Sequence, residues 1–239
     1  MLALKNVSKT YDRSKRAVNQ ISLDVEKGEI IGFIGPNGAG KTTTLKMITG
    51  IIQPTEGTIS IDGVDIMKAP VDAKKNFSYV PDQPTIFDAI SGIDYLNFMA
   101  DMYDVSIRER KKRIEKFSKA FQIDDALTQK VNSYSHGMRQ KLLITGAMLS
   151  NPKLFILDEP MVGLDPHSAR VLKDLMREHC NKGGTVFFSS HGLEVVEDLC
   201  DRVAIIHKGK LIACDVVGNI KKSTDTTLEN VFLEMTRDA

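Results

Sequence analysis

The chain has 239 residues, enough to bury a substantial core as one large domain or two small ones. Its 32 lysines and arginines stand against 31 aspartates and glutamates, so no net field draws it to nucleic acid or anionic lipid, and partners must be recognised by local sites. No apolar run approaches the roughly 18–20 residues of a spanning helix; no leader is visible behind Met1, and Cys180, Cys200 and Cys214 lack metal-type spacing, so they read as reduced thiols of a soluble protein.

The first ~65 residues read as strands broken by turns. Ile21-Ser22-Leu23-Asp24-Val25 alternates apolar and polar, and Thr58-Ile59-Ser60-Ile61 does so before the hairpin-type turn Asp62-Gly63. Such alternation predicts half-buried, mainly antiparallel strands at the edge of the fold. Continuous apolar runs at 30–34, 154–157, 186–188 and 203–206 instead predict strands buried on both faces, as in a parallel sheet flanked by helices.

Directly after the first of these runs, Gly35-Pro36-Asn37-Gly38-Ala39-Gly40-Lys41-Thr42 fits G-x-x-x-x-G-K-[ST] without a mismatch, and a helix-like stretch from Thr43 to Ile48 follows. Glycines let the backbone curl so that successive N–H groups face phosphate oxygens, and the helix start adds its positive end. Lys41 offers a point charge to β- and γ-phosphates, and the Thr42 hydroxyl a ligand for Mg²⁺.

From about Pro84 to Ser150 the pattern turns helical. In 93–103, Ile93, Leu96, Ala100 and Tyr103 form one stripe, with Tyr95, Phe98 and Met102 off it. Two readings fit: a helix sandwiched inside the protein, or one whose second face docks a partner. Arg108-Glu109-Arg110-Lys111-Lys112-Arg113 opens another helix with a solvated face, or one near lipid headgroups. Farther on, Leu154-Phe155-Ile156-Leu157-Asp158-Glu159 places two acids where a buried strand emerges. They need a positive partner: Asp158 would hold Mg²⁺ through water in its coordination shell, leaving Glu159 to polarise an attacking water.

With both motifs in place, essentially the whole chain resembles the ABC-type nucleotide-binding domain. Tyr134-Ser135-His136-Gly137-Met138 resembles the LSGGQ signature, with Tyr134 for leucine and His136 for the first glycine; Ser135 is a good N-cap, and Gly137 leaves room for close approach. The resemblance implies that this helix start meets the γ-phosphate held by a second subunit. It also implies that Tyr11 stacks on adenine, that residues Gly35 to Thr43 hold ATP, that Asp165 in a D-loop (Gly163-Leu164-Asp165-Pro166) communicates across a dimer, and that His191 contacts γ-phosphate. Glu159, His191 and Lys41 are then the catalytic set, and Thr42, Asp158 and Asp82 the metal set. His136, His167, His179 and His207 receive no catalytic role. The Q-loop is irregular: counting forward to Phe87 aligns Asp82 with the expected glutamine, with Gln83 as the other candidate.

The implied fold is α/β: a P-loop NTPase core with a mainly parallel sheet, an N-terminal antiparallel β subdomain and an inserted α-helical subdomain. We expect one domain over 1–239, with the ATP-binding core and β subdomain in 1–83 and 151–215, the helical signature subdomain in 84–150 and a short helical tail in 216–239. In that tail Thr226-Thr227-Leu228-Glu229 reads as a capping box, with Leu228, Val231, Phe232 and Met235 on one face. The implied function is an ATP-binding and hydrolysing subunit that dimerises around two Mg-ATP and drives integral membrane subunits, with Phe87 and the helix 93–103 at the coupling groove. Its expected place is the cytoplasm, on the inner face of the membrane, and the short tail resembles exporter subunits. An importer subunit, a soluble ABC ATPase acting on nucleic acid or ribosomes, and a regulator without turnover are the alternatives. The absent coiled coil and basic surplus speak against nucleic acid, and Glu159 with His191 against the regulator.

Overall fold

The structure, a computed structural model, describes residues 1–12, 15–83, 86, 88–221 and 227–237. Pro84, Phe87 and Thr226, named above, lie outside the described residues. In chain order, β1 (Leu2–Asp12) and β2 (Lys15–Val25) pair antiparallel; β3 (Ile30–Ile34) runs into the glycine-rich loop and α1 (Lys41–Ile48). Next come β4 (Glu56–Ile61), β5 (Val64–Asp65), α2 (Pro70–Lys74) and β6 (Phe77–Val80). Three helices, α3 (Gly92–Met102), α4 (Ile107–Ala120) and α5 (His136–Leu149), separate β6 from β7 (Leu154–Asp158). The chain continues through α6 (Pro166–Asn181), β8 (Thr185–Ser190), α7 (Leu193–Leu199), β9 (Arg202–His207), β10 (Lys210–Val216), α8 (Val217–Lys221) and α9 (Leu228–Arg237).

The apolar runs become the central strands. The larger sheet has the order β10-β9-β3-β8-β7-β6, parallel throughout except for β10. Every residue of β3, β7 and β8 is buried. Period-two geometry divides their side chains between two cores. Ile30, Ile34, Phe155, Leu157 and Phe188 face the helices, while Ile31, Phe33, Ile156 and Phe187 face α1 and the second sheet. That second sheet, β2-β1-β4-β5, is antiparallel. In β2 Ile21, Leu23 and Val25 are buried while Ser22 and Asp24 are exposed, as the alternation predicts. The β4–β5 turn has Asp62 at φ 49° and Gly63 at φ 81°, the left-handed pair that a two-residue hairpin of matching twist requires.

The helical block follows the predicted periods with adjustments. In α3, Tyr95 joins Leu96 and Ala100 on the buried face, correcting its expected place off the stripe; Tyr103 follows the helix as its C-cap. Phe98 and Met102 are 48% and 65% exposed, so α3 is not sandwiched within this chain. On α4, Arg108, Lys111 and Lys112 are solvated. Arg110 reaches Asp101, and Arg113 donates to Leu149 O at 2.5 Å, tying α4 to its neighbours. At the far end, Leu228 and Val231 of α9 are buried and Phe232 and Met235 pack against the same core. Asn230 N–H donates to Thr227 Oγ1 at 3.3 Å, so Thr227 serves the first turn of α9.

Candidate functional site

The loop between β3 and α1 has a shape that side chains would destroy. A Cβ at Gly35 would lie 2.3 Å from Ile206 O, and one at Gly40 would lie 2.6 Å from Ala17 O; Gly40 also sits at φ +110°. Two neighbouring segments brace the loop. Gly209 N–H donates to Ala39 O at 2.9 Å, and Asn19 N–H donates to Gly209 O at 2.8 Å. Lys41, the first residue of α1, is only 7% exposed, and its ammonium donates to Gly35 O at 2.6 Å. The helix therefore starts one turn-half earlier than the Thr43 start read from sequence, with the cation already inside the loop.

Beside this loop β7 ends in the two acids. Asp158 is fully buried and accepts from Ser189 Oγ at 2.5 Å, while its Oδ2 is buried with no hydrogen-bond partner. Burial pushes its carboxyl above the usual carboxylate range, against the pull of the Ser189 and Thr42 hydroxyls. Glu159 takes φ 48°, the left-handed region, and its N–H donates to the same Ser189 Oγ at 3.0 Å. This turn aims its carboxylate between two partners. Oε1 is 3.8 Å from Lys41 Nζ; Oε2 lies 2.8 Å from His191 Nδ1 and accepts from His191 N–H at 3.2 Å. Of the expected catalytic set, Lys41 and His191 thus each meet Glu159, which lies between them.

The loop and Glu159 border an open cleft of about 620 Å³. Tyr11, Pro36, Asn37, Gly38, Gly40, Lys41, Thr42, Thr43, Asp82 and Glu159 line it. Gly35, Ala39, Asp158 and His191 do not line it: Asp158 is fully buried, and His191 borders a smaller hollow with Gly35, Pro36 and Asn37. Asp82 is on the cleft wall and accepts from Gln83 N–H at 2.9 Å, whereas Gln83 does not line the cleft; both residues are exposed. Sequence reading missed Arg16, Ala17, Lys208 and Gly209, which complete the wall, and Ser189, which holds both acids. Arg16 and Ala17 had a weak signal in their position just after Tyr11. Lys208-Gly209 had none, because only the fold brings that turn onto the loop.

Ser135, His136, Gly137 and Met138 do not line the cleft. Ser135 is the N-cap of α5, accepting from Met138 N–H at 3.2 Å, and it is exposed, as is His136. Gly137 and Met138 are half-buried. Asp165, read as a trans-acting residue, is engaged within its own chain. It caps α6 by accepting from Ser168 N–H at 2.9 Å, and it pairs with Lys141 of α5 at 2.7 Å. Lys141 first, then the Ser168 backbone and hydroxyl, hold its carboxyl far below the usual range.

The family described as ABC transporter matches residues 18–162. The chain is 36% identical to the ABC transporter ATP-binding protein NatA of Bacillus subtilis (strain 168), over 89% of this chain and 88% of that protein. It is 34% identical to the SkfA peptide export ATP-binding protein SkfE of the same organism, over 89% and 87% of the two chains. Among solved structures, an ATP-binding subunit of an ABC transporter superposes with a TM-score of 0.94 at 31% identity, covering 98% of this chain and 99% of that one. A dimeric ATP-binding cassette in a post-hydrolysis state, bound to ADP and Pi, shares the fold with a TM-score of 0.81 at 24% identity, over 91% and 99%. The chain belongs to the ABC transporter family and is one of its ATP-binding, ATPase-type domains.

Proposed function

We propose that this chain is the ATP-hydrolysing subunit of a membrane exporter, and that two copies, or this chain and a homologous one, close head to tail around two ATP molecules. The observation that carries the catalytic part is the Glu159 carboxylate held between Lys41 and His191 at the mouth of the glycine-rich loop. ATP lies with its adenine on Tyr11 and its phosphates over the N–H groups of residues 35–43. Lys41 turns its charge to the β- and γ-phosphates. Glu159 takes the proton of a water whose oxygen bonds to γ-phosphorus as the bond to the bridging oxygen of ADP breaks. His191 holds Glu159 Oε2 and reaches the γ-phosphate. Asp158 Oδ2, buried and unpartnered, fits a divalent cation beside Thr42, with Asp82 toward its water shell. Bound there, Mg²⁺ would supply positive charge to offset that of the phosphates.

The dimeric cassette of the same fold supports pairing. Ser135 and Gly137 lie outside their own chain's cleft, which suits contact with the γ-phosphate of a partner. On this reading the chain sits on the inner face of the membrane, held there by integral subunits; among the described residues no helix is long and apolar enough to cross a membrane. The exposed Phe98 and Met102, in the helical segment 84–150, suit that docking. Export follows the peptide-export name of a relative.

Glu159→Gln tests the core of this reading. The variant keeps the shape of the side chain but takes up no proton, so ATP should bind while phosphate release falls about 10²-fold or more. A stable ATP-bound dimer should then appear by light scattering. Hydrolysis at the wild-type rate removes Glu159 as base; a monomer at saturating ATP removes the head-to-tail pair.

A further inference from the structure

The loop that leaves Glu159 has to deliver Asp165 to the start of α6, and it is pinned at both ends. At one end Glu159 N–H donates to Ser189 Oγ at 3.0 Å; at the other Asp165 accepts from Ser168 N–H at 2.9 Å and Ser168 Oγ at 2.8 Å. Between them Val162 N–H donates to Glu159 O at 3.1 Å and Leu164 N–H to Met161 O at 3.3 Å, so the loop is wound into short turns with little slack.

Helix α5 grips this loop from the side. Lys141 Nζ lies 2.7 Å from Asp165 Oδ2, and only 13% of the Lys141 side chain is exposed. One turn earlier, a Cβ at Gly137 would lie 2.7 Å from Gly163 O, so the two backbones are in close contact. His136 completes the grip. Its ring covers Gly163, where a Cβ would come within 2.5 Å of Cδ2. The imidazole that replaces a glycine of the signature pattern thus fits against a residue with no side chain. A lysine so hidden has given up water and rotamer freedom, which a loose surface pair does not compensate.

We propose that Lys141 is a positioning residue for ATP hydrolysis: its ammonium fastens the signature helix to the loop behind Glu159, so the helix start and the base move as one piece. This rests on the reading of Glu159 as the base. The consequence is directional. A partner's phosphate that draws Ser135 and the α5 start also sets the loop, and with it the angle at which Glu159 meets water.

The full chain is assayed as Lys141→Met, Lys141→Arg, Asp165→Asn and the double variant Lys141→Met with Asp165→Asn. Met keeps length and apolar stem but loses the charge. It should lower kcat about tenfold, in line with a small displacement of a reacting group, while KM and equilibrium binding of a fluorescent ATP analogue stay as in wild type. Lys141→Arg should recover most of kcat, and the double variant should be no slower than the slower single one. Wild-type kcat in Lys141→Met, a matching loss of ATP binding, failure of arginine to rescue, or additive losses in the double variant each overturn the clamp. Glu159→Gln run alongside separates the claims. Normal turnover there removes the base assignment whatever Lys141 does; a dead Glu159→Gln with a normal Lys141→Met removes only the clamp.

Discussion

Two glycine-containing turns in this chain open helices, and they solve the same local problem in opposite ways. At α1 the turn has no side-chain cap: Gly40 is left-handed, the ammonium of Lys41 lies inside the loop, and β9–β10 and β2 brace the backbone from behind. At α5 a serine side chain caps the helix, Ser135 is exposed, and His136, exposed on one side, lays its ring over Gly163. Both starts present N–H groups and a positive helix end to an anion. Only the first also has a cleft, a cation and a pair of acids around it. The lesson is that a helix start becomes a phosphate site through what the tertiary fold puts opposite it. In one chain only the first start has such surroundings; on the proposed function the second meets its phosphate in a partner.

The strongest way to break this contrast is to damage the complete turn. Lys41→Ala removes charge-assisted bonds worth about 1.5–3 kcal/mol, so ATP should bind about 10–100-fold more weakly by fluorescence titration. Gly35→Ala should lose binding as well, since its Cβ would meet Ile206 O at 2.3 Å. Wild-type affinity in both variants would mean that the cleft is not the nucleotide site.

The half-site is sharpened by complementation. Gly137 is a poor position to substitute, because a side chain there strikes Gly163 of its own chain. Ser135→Asp is better: aspartate still caps a helix, yet it sets a negative charge where a partner's phosphate is expected. Neither Lys41→Ala nor Ser135→Asp should dimerise with ATP alone. Mixed in a Glu159→Gln background, they leave one damaged and one intact site, so light scattering should recover dimers at about half the wild-type nucleotide stoichiometry. If confirmed subunit exchange brings no recovery, the two turns do not share a phosphate.

A smaller effect is expected at the cleft wall. Asp82→Ala should reduce Mg²⁺-dependent turnover about tenfold, the usual scale for an outer ligand, while Gln83→Ala should be mild. Hydrolysis titrated with Mg²⁺ decides between them, and a severe Gln83 effect beside a silent Asp82 reverses the assignment.

The least effect belongs to a third turn, where charge acts on stability alone. Lys153 and then Lys27 hold the Asp62 carboxyl down to about 2 from 3.8. A depressed carboxylate contributes stability fully above its unfolded value and loses it as pH falls through the folded one. Wild type should therefore exceed Asp62→Asn in unfolding free energy from urea titration at pH 5–7, by no more than about 1 kcal/mol for surface pairs. That advantage should fade between about pH 4 and pH 2. A difference that persists at pH 2 would assign it to packing.

Much of the phosphate side was legible because its signals are local. The spacing of Gly35, Gly40, Lys41 and Thr42 states a loop geometry outright, and four apolar residues before Asp158 and Glu159 state a buried strand end. The helical block was less legible: a 3.6-residue period does not say which apolar face meets the protein, so Tyr95 was placed on the wrong side of α3 while Phe98 and Met102 were left open.

What sequence determined by itself, then, is the chemistry and the backbone shapes that only certain residues permit: the left-handed glycines, the Asp62-Gly63 hairpin, the N-cap Ser135 and the doubly buried strands. These depend on steric and hydrogen-bonding preferences within a few residues. The tertiary structure alone decided which distant groups meet. Ser189, thirty-one residues past Asp158, bonds both acids because β7 and β8 are parallel neighbours. Gly209 braces Ala39, and Lys141 holds Asp165, through contacts that no local pattern encodes. Position along the chain carries no information about such pairs, since strand order and helix packing are settled by how the two cores close around the central sheet.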